Sequence, residues 1–315
     1  MPLDLLCLGE AYVEISRTEP DLPLSKPGTF SGPYPSGGPC ITAVQAARLG
    51  ARAGIITAIG SDPFGDSIRA QLDYDGVDTR GLVVLDDFPT AVVFNTSDSN
   101  LTEAAPYVRH SAAGQLLPAR LNLDMLDDLG CLHVSACALM LNNAVLAAGY
   151  TAWEHAGMTG ARRSLDLVVG AGSVAPHAYR MLTPFIETAD VIRTTSTDFR
   201  RLTGADSASD WLLDWAEQRP GRIGLVTRTQ RGSSVVTADG HDGVPGFRVT
   251  EIDAAGAGDC FSAGFLIRWM RGMPPAQAAR FANACGALAV TQQGPMSGAM
   301  PLETVRIFME GRRVG

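Results

Sequence analysis

The stretch IDAAGAGDCFSAGFL, residues 252–266, places Gly256, Gly258, Asp253 and Asp259 directly ahead of an apolar run. The two glycines let a backbone turn tightly with no Cβ in the way. Phe261, Phe265 and Trp269 then recur at i, i+4 and i+8, so the loop opens a helix. The first N–H groups of a helix have no internal partner and lie at the positive end of its dipole. The backbone around 256–259 is therefore a ready anion site with the Asp259 carboxylate inside it. Asp also serves well at an N-cap or in a first turn, so a structural reading stands beside the chemical one. A helix start that stabilises phosphate charge, beside a carboxylate able to accept a hydroxyl proton, contains the main protein parts for phosphoryl transfer to an alcohol.

Upstream of this loop, strand-like apolar runs occur near residues 5, 53, 91, 131, 162, 189, 223 and 233, in alternation with helical stretches such as ITAVQAARLG and SDWLLDWAEQ. That alternation predicts an α/β fold, a doubly wound and mostly parallel sheet with helices on both faces. Two segments break it: residues 11–35, rich in Pro, Gly and Ser, and residues 91–113, strand-like around a polar loop. They are expected to pair into a small antiparallel sheet outside the main one. No repeat or long linker divides the chain, which reads as one unit over residues 1–315.

Composition narrows the function classes. The chain is 46% hydrophobic and 18% charged, with 25 Lys and Arg against 33 Asp and Glu, a formal charge of −8. No basic block is available to follow a phosphate backbone, which argues against nucleic acid as a partner. No apolar run reaches the roughly 18 residues of a membrane span. The N-terminal run carries Asp4 and Glu10 and reads as a first strand, not a signal peptide. Six scattered cysteines without a C-x-x-C spacing point to a reduced, cytoplasmic protein. Five histidines form no metal-binding pattern.

DAAGAGDCFSAGF resembles the C-terminal signature of the ribokinase-like (PfkB) carbohydrate kinases, usually D-T-x-G-A-G-D-x-F, and the resemblance runs along nearly the whole chain. LCLGEAYVEI is similar to that family's first strand, SGGPCITAVQAARLG to its Gly-Gly helix, and AIGSDPFGDSIRAQLDYDGVDT to its V-G-x-D-x-F-G segment. ADVIRTTSTDFRRLTG stands where the family has N-x-x-E and L-T-G, and LVTRTQRGS where it has T-L-G-x-x-G. The resemblance implies a ribokinase-like α/β/α domain with a small β-sheet lid, often the dimer interface, here residues 11–35 and 91–113. It implies ATP and Mg2+, allows a monovalent cation, and suggests a homodimer through the lid.

Residue by residue, the resemblance makes Asp259 the general base, with Gly256, Ala257 and Gly258 lending anion-hole amides. Thr227, Arg231 and Gly232 would line the nucleotide phosphates, and Asn283 would border the adenine pocket. Glu14 and Asp253 fall on the substrate side; a carboxylate accepting two hydroxyl bonds suits a polyol, although Glu14 also reads as an exposed strand residue. Gly37 and Gly38 would bring backbone close to the sugar, or simply turn the chain before Pro39. Arg109 would reach the substrate from the lid or stay solvated.

The chain departs from the family pattern in four places. The Asn expected after Gly-Gly is replaced by Ile41 or Thr42, neither of which offers a carboxamide's paired donor and acceptor. Asp166 stands in the D-P-N-x-R region without the arginine. N-x-x-E becomes Thr195-Ser196-Thr197-Asp198, which leaves Asp198 as the acid for magnesium, held largely through water. The first glycine of T-L-G-x-x-G becomes Thr229. The missing carboxamide predicts poor use of ribose and fructose and a modified or acidic sugar as substrate. Two hypotheses stand: an ATP-dependent sugar kinase, and a degenerate member that binds a sugar or nucleotide without turnover. A dinucleotide-binding dehydrogenase is disfavoured, because no G-x-G-x-x-G follows the first strand.

Overall fold

The computed structural model describes residues 2–96, 103–170, 174 and 177–311. The chain begins with β1 (Leu3–Leu8), β2 (Tyr12–Arg17), β3 (Phe30–Ser36), α1 (Gly38–Arg48), β4 (Ala53–Gly60), α2 (Pro63–Tyr74) and β5 (Asp78–Leu85). It continues through β6 (Ala91–Thr96), β7 (Ala104–Tyr107), β8 (Leu129–Ser135), α3 (Ala136–Leu139), α4 (Asn143–Met158), β9 (Arg162–Asp166), α5 (Ala178–Thr188) and β10 (Val191–Thr195). Next come α6 (Ser196–Thr203), α7 (Ala208–Glu217), β11 (Ile223–Thr227), β12 (Ser233–Thr237) and β13 (Gly240–Val244). Three helices close the chain: α8 (Ala257–Met270), α9 (Pro275–Ala289) and α10 (Leu302–Glu310).

Nine strands form the main sheet in the order β13-β12-β11-β10-β9-β8-β1-β4-β5. All neighbours from β5 to β11 are parallel, and only the β12 and β13 pairings are antiparallel. The central strands read as continuous apolar runs because both faces are covered; every residue of β4 is buried. Alternation then divides their side chains between two layers. Leu5, Cys7, Ile55 and Ile59 join Val44 and Phe265 on one face, while Leu6, Leu8 and Ile56 join Trp153 and Phe185 on the other. This is the predicted doubly wound α/β arrangement.

Between β1 and β8 the chain's winding reverses, since β4 and β5 extend the sheet on one side and β8 through β11 on the other. In such sheets the crevice beyond the strands' C-terminal ends, at that reversal, is where ligands bind. Helix α8 lies beside it. Cys260 through Ile267 are all buried, so this helix is enclosed on every side over those two turns. Enclosure fixes the position of its first turn.

The two segments that break the alternation do pair, as the four-stranded sheet β3-β2-β6-β7. The expectation of an antiparallel sheet needs correction: β2 and β6 run parallel, while β3 and β7 pair antiparallel at the two edges. The reason lies in the connections. β2 follows β1 and β6 follows β5, both parallel members of the main sheet, so the chain enters the small sheet twice in the same sense. Residues 97–102 of the second expected segment lie outside the described residues.

Candidate active site

Two helix starts and the ends of four strands converge at the crevice. Gly256, the N-cap of α8, has φ 78° and ψ −4°, and a Cβ there would stand 2.4 Å from the Pro295 carbonyl oxygen. Glycine is required by both strain and space. No side chain caps this helix, so its leading amides at Ala257 and Gly258 remain available to an anion. Helix α1 begins at the same point. Gly37, its N-cap, has φ 110°, and a Cβ on Gly38 would meet Asp259 Oδ1 at 2.8 Å. Gly38 thus makes room for the Asp259 carboxylate itself, and Thr42 Oγ1 donates to the Asp259 carbonyl at 3.4 Å. Ile41, one of the two residues standing where the family has Asn, packs at the backbone of Gly256, its Cγ2 3.2 Å from where a Cβ would be.

Asp259 occupies the first turn of α8, on the wall of the cleft and only partly reached by solvent. Removal from water raises its carboxyl to about 7, the charge of Asp166 adds to the rise, and Arg193 opposes it. Arg193 projects from β10, whose register sets it opposite Asp166 of β9. Its Nη1 donates to both Asp166 oxygens at 3.0 Å, and a Cβ on Gly258 would fall 1.9 Å from its Nη2. Asp166 is thus paired with an arginine from the neighbouring strand.

Glu14 of β2 is buried in the small sheet, not exposed, and near enough to Asp259 for its charge to raise that carboxyl. Its carboxylate accepts from Ser36 Oγ at 3.0 Å and from Asn95 Nδ2, and burial raises its pKa. Asn95 Oδ1 has no partner, so β6 brings a carboxamide with a spare acceptor beside Glu14. A carboxamide thus stands beside Glu14, although none follows Gly38 in the sequence. Glu10, just beyond β1, is also buried; its Oε2 has no partner and burial pushes its carboxyl up to about 7. Asp253 is turned to the backbone instead: it accepts from Ala255 N at 3.0 Å and Gly294 N at 2.9 Å, with Gln293 Nε2 at 3.4 Å. Its carboxylate ties loop 253–256 to loop 293–294. Arg109 is exposed just beyond β7.

Thr227 ends β11 beside β10, and its Oγ1 receives a 3.4 Å bond from Arg193 Nη2. The turn that follows is closed by Arg228 N donating to Gly232 O at 2.8 Å, with Arg231 exposed at its tip. Thr229 holds the place of the family's first glycine at φ 50°, a left-handed conformation unfavourable for a β-branched residue. Asn283 Nδ2 donates to the carbonyls of Val244 and Pro245, both at 3.1 Å, so it anchors the loop after β13. Asp198 sits in the first turn of α6, accepting from Thr195 Oγ1 at 2.5 Å and Val169 N at 3.3 Å. Among the described residues no group of three or more His, Cys, Asp or Glu could hold a metal ion. One partly solvated carboxylate fits a magnesium ion held through water and phosphate oxygens, not a closed protein cage.

Glu10, Asn95 and Arg193 were not singled out from sequence. Arg193 and Glu10 carried a signal, each as a charged residue inside an apolar strand-like run, VIRTT and LLCLGEAYVEI.

The chain is 28% identical over 309 residues to fructokinase-1 of Zea mays, covering 95% of each. A candidate ribokinase II of E. coli, solved with ATP and Mg2+, superposes with a TM-score of 0.91 at 29% identity over 98% of this chain and 100% of that one. Fructokinase of Xylella fastidiosa, solved with ATP, gives 0.85 at 25% identity over 99% of each. Residues 3–302 match the pfkB family carbohydrate kinases as a family. With its doubly wound sheet, its small second sheet and its glycine-flanked aspartate at the head of α8, the chain belongs to the pfkB family of carbohydrate kinases.

Proposed function

We propose that this protein transfers the γ-phosphoryl group of ATP to a hydroxyl of a sugar or sugar derivative, with Asp259 as the general base. The observation that carries this reading is a carboxylate brought close to neutrality in the first turn of an uncapped helix, where it can accept a proton beside amides that stabilise phosphoryl charge. ATP supplies the phosphoryl group and Mg2+ the counter-charge on its oxygens. Gly256, Ala257 and Gly258 form the anion hole. Thr227, Arg231 and Gly232 line the phosphate track, Asn283 sets the loop that borders the adenine, and Asp198 orients magnesium-bound water. Glu14, with Asn95 and Ser36 fixing its orientation, receives the substrate's hydroxyls, and Gly37 and Gly38 let the acceptor approach Asp259. Asp253 serves that pocket by holding the loop before α8, which is also where a monovalent cation would act.

The kinase unit spans residues 1–315, and the small sheet is its lid. Phe30, Phe94 and Tyr107 stack edge to face across one side of that sheet, with Phe30 and Tyr107 exposed, which supports a homodimer joined through the lid. Six free cysteines, five of them buried, support a reducing compartment, the cytoplasm. No described helix is long and apolar enough to cross a membrane. The acidic surface balance argues against nucleic acid as a partner.

The test is ADP release with ribose, fructose, ketodeoxygluconate, inositols and nucleosides, alongside thermal shift with each. Turnover of one acceptor supports the kinase. A clear thermal shift without ADP release from any acceptor refutes it in favour of a binding protein. Because Asn95 places a carboxamide beside Glu14, fructose belongs among the first acceptors tried.

A further inference from the structure

A buried guanidinium lies beneath the head of α8 with donors to spare. Arg193 is 7% exposed, its Nη1 is taken by the two Asp166 oxygens, its Nη2 makes only a 3.4 Å bond to Thr227, and its Nε has no partner. Asp166, Asp259 and Asp198 surround it and keep it charged against the opposing effect of burial. Two features leave this placement open to an anion: a buried donor with no partner, and a cation packed against Gly258 at the positive end of a helix. An anion at that point answers both. The unpartnered Nε and the weakly held Nη2 form the side-on edge of the guanidinium, where Nε–H and Nη2–H run parallel and match two oxygens of one phosphoryl group.

We propose that Arg193, held by Asp166, binds the phosphoryl group in transit through its Nε and Nη2 edge and completes the anion site begun by the amides of Ala257 and Gly258. The proposal rests on the kinase reading. In the transfer, Asp259 takes the acceptor's hydroxyl proton as that oxygen bonds to phosphorus, the bond to the β,γ-bridging oxygen breaks, and its electron pair stays with ADP. Arg193 exchanges no proton. Asp166 is a positioning residue that fixes the guanidinium by its other end.

Calorimetric binding of ADP and of a non-hydrolysable imido analogue of ATP reads this contact apart from turnover. Arg193→Met is expected to leave ADP affinity within about threefold, weaken the analogue about 10-fold or more, and lower kcat by about 10²–10³-fold. Arg193→Lys keeps the charge but not the paired donors, and is expected to fall between; if the Met variant does not fold, the Lys variant decides. Equal changes in both nucleotides, or an unchanged analogue affinity with reduced kcat, overturn the proposal. Wild-type protein that releases no ADP with any acceptor sinks the kinase reading; analogue selectivity lost in Arg193→Met still upholds the phosphate contact.

Discussion

Asp259→Asn is expected to make the protein more stable and nearly inactive, two effects with one electrostatic origin. Burial, reinforced by Asp166, pushes the Asp259 carboxyl from its ordinary 3.8 up to about 7. A carboxyl whose folded-state pKa lies above its unfolded value favours the fold only while protonated. Its contribution is complete below about pH 4 and is lost as pH rises through about 7. At about 1.4 kcal/mol per pKa unit, the loss by pH 8 is at most about 4 kcal/mol, and solvent reaching the carboxyl through the open cleft reduces it to about 2–4 kcal/mol. Asparagine does not ionise, so the variant escapes this loss. Urea unfolding should show it more stable than wild type by that amount at pH 8, with the difference nearly gone at pH 4. Turnover should fall at least about 10²–10⁴-fold, because the amide cannot take the hydroxyl proton. A variant less stable than wild type at pH 8 would refute the electrostatic account, and near-wild-type ADP release would remove Asp259 from the chemistry.

Gly38→Ala places a Cβ within 2.8 Å of Asp259 Oδ1 and must displace the carboxylate; kcat should drop about 10²-fold with nucleotide affinity preserved, and an unchanged kcat would show that the carboxylate has room to move. Thr229→Gly removes a left-handed β-branched residue at φ 50°; after the greater entropy of an unfolded glycine, the net gain should be about 0.5–1 kcal/mol, so a lowered melting temperature contradicts it. Asp198→Ala should raise the half-saturating Mg2+ concentration about 10-fold without altering sugar affinity, and a superimposable magnesium titration would refute the assignment.

Local chemistry explains what could be read before folding. The head of α8 is legible because a left-handed glycine, a first-turn acid and an apolar helix are neighbours in sequence, and each constrains backbone within a few residues. The buried strands β1, β4 and β8 are legible as apolar runs alternating with helices, which points to a parallel sheet, whereas the strand order that reverses the winding is set by the fold. Strand β5, half-exposed at a sheet edge, and β13, the polar run GHDGV, gave no such signal, because edge strands bury little of their own side chains and lean on a neighbour's hydrogen bonds. The site divides the same way. Asp259 and Glu14 were visible in motifs, but the sequence did not tell that Glu14 is buried, that Asn95 turns its amide to it from 81 residues away, or that Asp253 is committed to the 293–294 loop. The ion pair of Arg193 and Asp166 is the clearest case: 27 residues separate them, and only the parallel register of β9 and β10 sets them opposite each other. Sequence fixes what lies within the reach of one turn, whereas the partners of a buried charge are chosen by the pairing of strands, because in the interior each such charge needs a counter-charge from whatever backbone lies alongside.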